Sequence, residues 1–230
     1  MRVAMDFSAI RGAFRIYCKA EMGKGTHLVS GSVGSGKSTM ALVMASLIPY
    51  EGTLDLDGIS SVVLSLQFPE YHITGSTLEE EARSWGLDPA EVLADAELEP
   101  FGKSDPFRLS RGQLKRFNLS CVFLLDPDLL LLDEPFSSLD CQVKAKICEY
   151  IEAREEKMTV IFSHERSVLP RVDTLSNIQE GMLDFCGSVP DAISLWKGAP
   201  PYLKKVLEMG KLPKNIRLKD ALEALCRTQG

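Results

Sequence analysis

The chain is expected to fold as an α/β domain with a mainly parallel sheet. Three observations predict this. Apolar runs of strand length, such as Leu129–Asp133 and Met158–Ser163, alternate with amphipathic segments of helix length. A glycine-rich loop, Gly31-Ser32-Val33-Gly34-Ser35-Gly36-Lys37-Ser38-Thr39, joins one such run to one such segment. The 230 residues are 45% hydrophobic and 25% charged, the balance of an ordinary globular protein with room for one large domain.

In chain order, Val3–Phe7 and Ala13–Ala20 read as strands. The second alternates apolar and polar residues, as a half-exposed antiparallel strand does, so the N-terminal part should form an antiparallel β edge. Gly23-Lys24-Gly25 turns the chain into a buried strand, Thr26–Ser30. A helix over Ser38–Ile48 should end at Pro49-Tyr50-Glu51-Gly52. Thr53–Leu56 and Ser61–Leu66 read as further strands, with Gln67 at the end of the second, and 68–72 as a loop. Thr77 and Asp88 are capping residues for two short acidic helices, and roughly 75–125 reads as a helical insertion. Cys141–Glu156 should be a helix of alternating charge, and short helices are expected at about 201–209 and 217–227.

Bulk properties narrow the function classes. The net charge of -6, with no basic cluster, argues against nucleic acid as a partner. No run reaches the ~20 apolar residues needed to span a bilayer. Met1–Asp6 holds no long apolar core, so a signal peptide is not expected and a cytosolic protein is. Six cysteines at 18, 121, 141, 148, 186 and 226 form no C-x-x-C pair, so they are expected to be free thiols rather than zinc ligands. Cys121, inside an apolar run, should be a core residue.

The glycine loop fits G-x-x-x-x-G-K-[ST] in its strand–loop–helix context. Glycines let successive N–H groups turn inward around a phosphate, and the helix start adds its positive dipole end. Lys37 can reach the outer phosphates, and Ser38 is placed for Mg²⁺. The bland alternative, a glycine turn before an ordinary helix, explains neither the lysine nor the spacing. Leu132-Asp133-Glu134 ends a strand in two carboxylates: Asp133 can hold Mg²⁺ through water, and Glu134 can act as general base on an attacking water. Ser110, at the start of the helix opened by Leu109-Ser110-Arg111-Gly112-Gln113, can form a second anion site with the first-turn amides. A single chain has little use for a second site; a dimer closing it over the partner's nucleotide does. His164 can contact a γ-phosphate and the attacking water, and Gln67 can ligate Mg²⁺ or order water. Taken alone, each of these last pieces is more often structural.

Taken together and in order, Gly31–Thr39, Gln67, Leu109–Gln113, Leu131–Glu134, Ser137–Asp140 and His164 resemble the nucleotide-binding subunit of ABC ATPases over about residues 1–188. By analogy they are Walker A, Q-loop, signature, Walker B, D-loop and H-loop. The resemblance implies a P-loop NTPase core with a helical subdomain at about 75–125 and a small helical C-terminal extension over 189–230. It implies ATP and Mg²⁺ as cofactors. The loop residues 31–39, with Ser110, Gly112 and Gln113, would bind nucleotide, and Glu134, His164 and Gln67 would be catalytic. Ser38, Gln67 and Asp133 would meet the metal.

Gln67-Phe68-Pro69-Glu70-Tyr71-His72 and the tail from Pro200 look like energy-coupling-factor (ECF) transporter ATPases, where the tail serves dimerisation. That likeness implies import of a vitamin or transition-metal ion. Its partners would be a second ATPase chain, identical or paralogous, a transmembrane coupling subunit and a small substrate-binding membrane subunit. The place would be the cytoplasmic face of the membrane. Another transporter class, or a soluble ABC ATPase working on DNA or ribosomes, is the alternative, but one cassette without a heptad tract fits the latter poorly.

Three departures stand out. Arg111 occupies a position where the family usually has glycine; aimed at the nucleotide it adds positive charge, aimed outward it is inert. The adenine-stacking aromatic is not obvious: Phe14 comes first, Phe7 behind it. The stretch from Lys37 to Gln67 is also short, which should trim the antiparallel edge.

Overall fold

The computed structural model describes residues 1–226; the last residue of the expected terminal helix, Arg227, lies outside them. Strands β1 (Arg2–Arg11) and β2 (Phe14–Met22) form a hairpin, and β3 (Gly25–Ser30) leads into the glycine loop. Helix α1 (Lys37–Met44) follows, then β4 (Glu51–Asp57) and β5 (Val62–Ser65). After a 3-10 turn at Pro69–His72 come α2 (Leu78–Ser84), α3 (Pro89–Asp95) and α4 (Arg111–Leu124). Strand β6 (Leu129–Asp133), α5 (Cys141–Glu152), β7 (Met158–Ser163), β8 (Thr174–Gln179), β9 (Met182–Ser188), α6 (Pro201–Glu208) and α7 (Leu218–Cys226) complete the described chain.

One nine-stranded sheet in the order β4-β1-β2-β9-β8-β3-β7-β6-β5 organises the described residues. The block β8-β3-β7-β6-β5 is parallel, and β4-β1-β2 is the antiparallel edge. Strands β3, β6 and β7 are buried at every position, as their continuous apolar runs require. Alternation assigns side chains to the two faces. Leu130 and Leu132 join a core with α4, α5 and the tail, whereas Leu129 and Leu131 join one with α1 and the N-terminal hairpin. A smaller core of Leu78, Ala82, Val92, Leu93, Leu98, Phe117 and Cys121 holds α2 and α3 against α4. Cys121 is fully buried there, and burial pushes its thiol up to about 12.

The segment after Ser188 packs into the first of these cores through Ile193, Trp196, Leu203, Val206, Ile216 and Ala221. Trp196 Nε1 donates to Ser30 Oγ at 2.6 Å, directly before the glycine loop.

Several boundaries differ from expectation. Helix α1 stops at Met44 rather than Ile48. Ser46 adopts φ 56°, and the N–H groups of Ser46 and Leu47 return to the carbonyls of Val43 and Leu42, a left-handed stop built without glycine. Helix α5 ends at Glu152, four residues before the expected Glu156. The 68–72 loop contains a turn of 3-10 helix. Strands β8 and β9 were not expected, because buried Ser176 and Asn177 interrupt the apolar pattern of β8. Their signal is the two-residue turn Glu180-Gly181, with φ 50° and 79°.

Candidate functional site

The glycine loop leaves the C-terminal end of β3, the usual ligand edge of a parallel sheet. Two of its glycines are obligatory. At Gly36, which caps α1 with φ 113°, a Cβ would stand 2.8 Å from Ile16 Cγ2; at Gly31 it would stand 2.4 Å from the Ile178 carbonyl oxygen. The β8–β9 turn braces the loop from behind, the Gly181 N–H donating to the Ser35 carbonyl at 3.1 Å.

Lys37 opens α1 and folds back over the loop. Its Nζ donates to the carbonyls of Gly31 (2.8 Å) and Ser32 (3.0 Å) and lies 3.2 Å from Glu134 Oε1. Both side chains of this ion pair are more than nine-tenths buried. Glu134 follows β6 at φ 49°, a left-handed conformation rare for glutamate, which turns its carboxylate toward the loop. The Ser163 hydroxyl (3.0 Å) and the His164 N–H (3.3 Å) donate to Oε2, and His164 Nδ1 lies 2.8 Å from Oε1. The carboxylate is thereby compensated on every side, the condition for keeping a buried charge.

Asp133 is 2% exposed. Burial raises its carboxyl above the usual range, the neighbouring Glu134 charge adds to this, and the Ser38 hydroxyl, Lys115 and Lys37 work against it. Its Oδ1 is buried without a hydrogen-bond partner, as is the Ser35 hydroxyl in the loop. An orphaned carboxylate oxygen beside a serine hydroxyl is a hard-oxygen donor set, and it fits Mg²⁺.

A cleft of about 320 Å³ gathers Phe14, Val33, Gly34, Gly36, Lys37, Ser38, Thr39, Gln67, Glu134 and His164. Phe14 therefore borders the nucleotide-sized space, whereas Phe7 is buried in the core with its ring 5.7 Å from that of Tyr50. Arg11, paired with Phe14 across the hairpin, also lines the cleft, and sequence reasoning missed it. Only the fold of the hairpin over the loop could reveal it.

Ser110, Gly112 and Gln113 do not line this cleft. The Ser110 hydroxyl and the Gln113 side chain close a capping box on α4, each accepting from the other's backbone N–H (3.3 and 2.9 Å). A Cβ at Gly112 would lie 3.0 Å from the Ser138 carbonyl oxygen, so the signature turn packs against the D-loop of its own chain. Arg111 does not face the cleft either. It turns back with Nε 3.7 Å from Glu70 Oε1 and its guanidinium 5.9 Å from the Phe68 ring centroid.

A family model described as "ABC transporter" matches residues 16–137. The chain is 34% identical over 189 residues to the energy-coupling factor transporter ATP-binding protein EcfA1 of Thermotoga maritima, covering 73% of each chain. Among solved structures, a putative cobalt transport ATP-binding protein superposes with a TM-score of 0.64 at 20% identity, covering 84% of this chain and 81% of that one. A dimeric, post-hydrolysis ATP-binding cassette bound to ADP and Pi gives 0.61 at 21% identity, covering 79% and 95%.

Proposed function

This chain belongs to the ABC transporter family as an ATP-binding ATPase subunit, and we propose that it powers import of a small solute, a vitamin or a transition-metal ion, in an ECF-type complex. The observation that carries the catalytic part is the division of the site. Lys37, Ser38, Glu134 and His164 meet at one cleft, with Asp133 buried behind it against the Ser38 hydroxyl, while the signature turn opens elsewhere. A second ATPase chain, identical or paralogous, would supply its Ser110–Gln113 turn to this cleft and receive the reciprocal contact.

Within that sandwich, Lys37 and the loop amides of residues 31–39 hold the phosphates and offset charge developing on the transferred phosphoryl group. Glu134 takes a proton from the attacking water. His164 and Ser163 fix the Glu134 carboxylate through the hydrogen bonds described above, and Gln67, lining the same cleft, orders the water. Phe14 stacks on the base. Ser38, Asp133 and Gln67 would hold Mg²⁺, which when bound neutralises charge on the β- and γ-phosphates.

Residues 1–188 would form the ATPase domain, with its helical subdomain at about 75–125, and 189–230 a helical extension used in dimerisation. Among the described residues no helix is long and apolar enough to cross a membrane. Attachment at the cytoplasmic face would therefore run through a transmembrane coupling subunit, itself joined to a small substrate-binding membrane subunit. The exposed rings of Phe68 and Tyr71, 6.0 Å apart and next to Gln67, support docking on that side.

The test is the Glu134→Gln variant with MgATP in size-exclusion chromatography. A nucleotide-bound dimer is expected, and a chain that stays monomeric with no bound nucleotide overturns the proposal. Co-purification with a hydrophobic membrane protein, rather than with nucleic acid, tests the transport half.

A further inference from the structure

Helix α4 carries two cations one turn apart, Arg111 and Lys115, so both project from the same face. Both reach the segment that follows β5. Arg111 meets the Glu70 carboxylate and the Phe68 ring, as described. Lys115 is 1% exposed, and its Nζ donates to the carbonyls of Leu66 and Gln67 at 3.2 Å each. Glu70 pairs with Arg111 through Oε1, its negative charge also favours the Lys115 ammonium, and its Oε2 is buried without a hydrogen bond. The segment is closed on itself as well, the Leu66 N–H donating to His72 Nε2 at 3.0 Å.

A buried lysine is costly unless its ammonium finds acceptors, and here the acceptors are two backbone oxygens at the base of the Gln67 side chain. The position of Gln67 is therefore set from α4. The first turn of the same helix is the signature turn, packed on Ser138. Helix α4 is a rigid link between the turn proposed to face the partner's nucleotide and the glutamine facing the chain's own.

We propose that Arg111 and Lys115 are positioning residues: a two-point clasp, with Glu70 as its counter-charge, that makes Gln67 move with the signature turn, so that engagement of one nucleotide site sets the glutamine of the other. This rests on the sandwich reading above. It gives the arginine that departs from the family pattern a role neither at the nucleotide nor inert.

The experiment compares Arg111→Gly, Arg111→Lys, Glu70→Gln, the Arg111→Gly/Glu70→Gln double variant and Lys115→Met in the full chain. Hydrogen–deuterium exchange of residues 66–72 is read first, because it needs no turnover. Exchange there should rise in Arg111→Gly, Glu70→Gln and Lys115→Met, and stay at the wild-type level in Lys24→Met, which breaks a distant ion pair. In ATP hydrolysis, Arg111→Gly and Glu70→Gln should each lower kcat about two- to fivefold, the range of a partly exposed ion pair, with KM unchanged. Arg111→Lys should recover part of the loss. The double variant should match either single one, because both remove the same contact. Unchanged exchange at 66–72, unchanged kcat, or additive losses overturn the clasp. Failure of the sandwich reading is a separate result: it appears as Glu134→Gln staying monomeric with no bound nucleotide in MgATP, whatever the exchange at 66–72 shows.

Discussion

At the C-terminal ends of β3, β6 and β7, Lys37, Asp133 and Glu134 are packed out of solvent with hydrogen-bonding partners on nearly every polar atom. The N-terminal end of the same β3 borders a pocket of about 400 Å³ with even more charge: Lys24, Glu152, Glu155, Glu156, Arg171, Asp173 and Arg217. There Lys24 and Glu156 pair at 2.8 Å with side chains 50% and 88% exposed. Water screens such pairs, and they stabilise little. At the first end desolvation makes each charge depend on its neighbours, so the removal of one partner is felt by all. Charge count alone would favour the N-terminal end of β3; burial sets apart the end proposed to hold nucleotide.

Replacing Glu134 with Gln should break the first end most severely. Phosphate release should fall by about 10²–10⁴-fold, the range for loss of a general base, while ATP binding persists. Next in size, Lys37→Met leaves the Glu134 carboxylate buried without its ammonium. It should cost on the order of 3 kcal/mol in urea unfolding of the free protein, and ATP binding should be lost with it. A smaller loss would mean that His164 and Ser163 alone can carry the charge.

Lys115 sharpens the contrast through pH. Burial holds its ammonium down to about 8, against the pull of Asp133, Glu134 and Glu70. Between pH 8 and 10.5 the unfolded chain binds more protons at this residue than the folded one, so stability should rise with pH across that window. The rise should amount to at most about 3 kcal/mol, and Lys115→Met should flatten it in urea midpoints measured from pH 7.5 to 10.5. At the far end, Lys24→Met should change stability by less than about 0.5 kcal/mol and leave turnover unchanged. A larger loss there would erase the distinction between the two ends.

The glycine loop, the strands 129–133 and 158–163 and the Thr77 and Asp88 caps were legible because each depends on local rules. Thr77 accepts from the Glu80 N–H and Asp88 from that of Ala90, as residues of those types do at any helix start. Strands β8 and β9 were not legible, since buried Asn177 finds its hydrogen-bond partners, Ser30 and the Leu195 carbonyl, far along the chain, and the Ser176 hydroxyl is buried with none. Arg11 belongs to the same class: nothing beside it in sequence marks it, and the fold brings it to the cleft.

The amino-acid order by itself determined the phosphate loop, the two carboxylates after an apolar strand and the α/β alternation. Backbone angles, helix caps and burial patterns act over a few residues, so composition at short range decides them. Tertiary structure decided which charges are buried together at the candidate site. It buried Lys37 against Glu134, left Asp133 with an orphaned oxygen, turned Arg111 back to Glu70 and placed the signature turn away from its own cleft. Those outcomes follow from desolvation and from contacts between residues tens of positions apart, which no local pattern encodes.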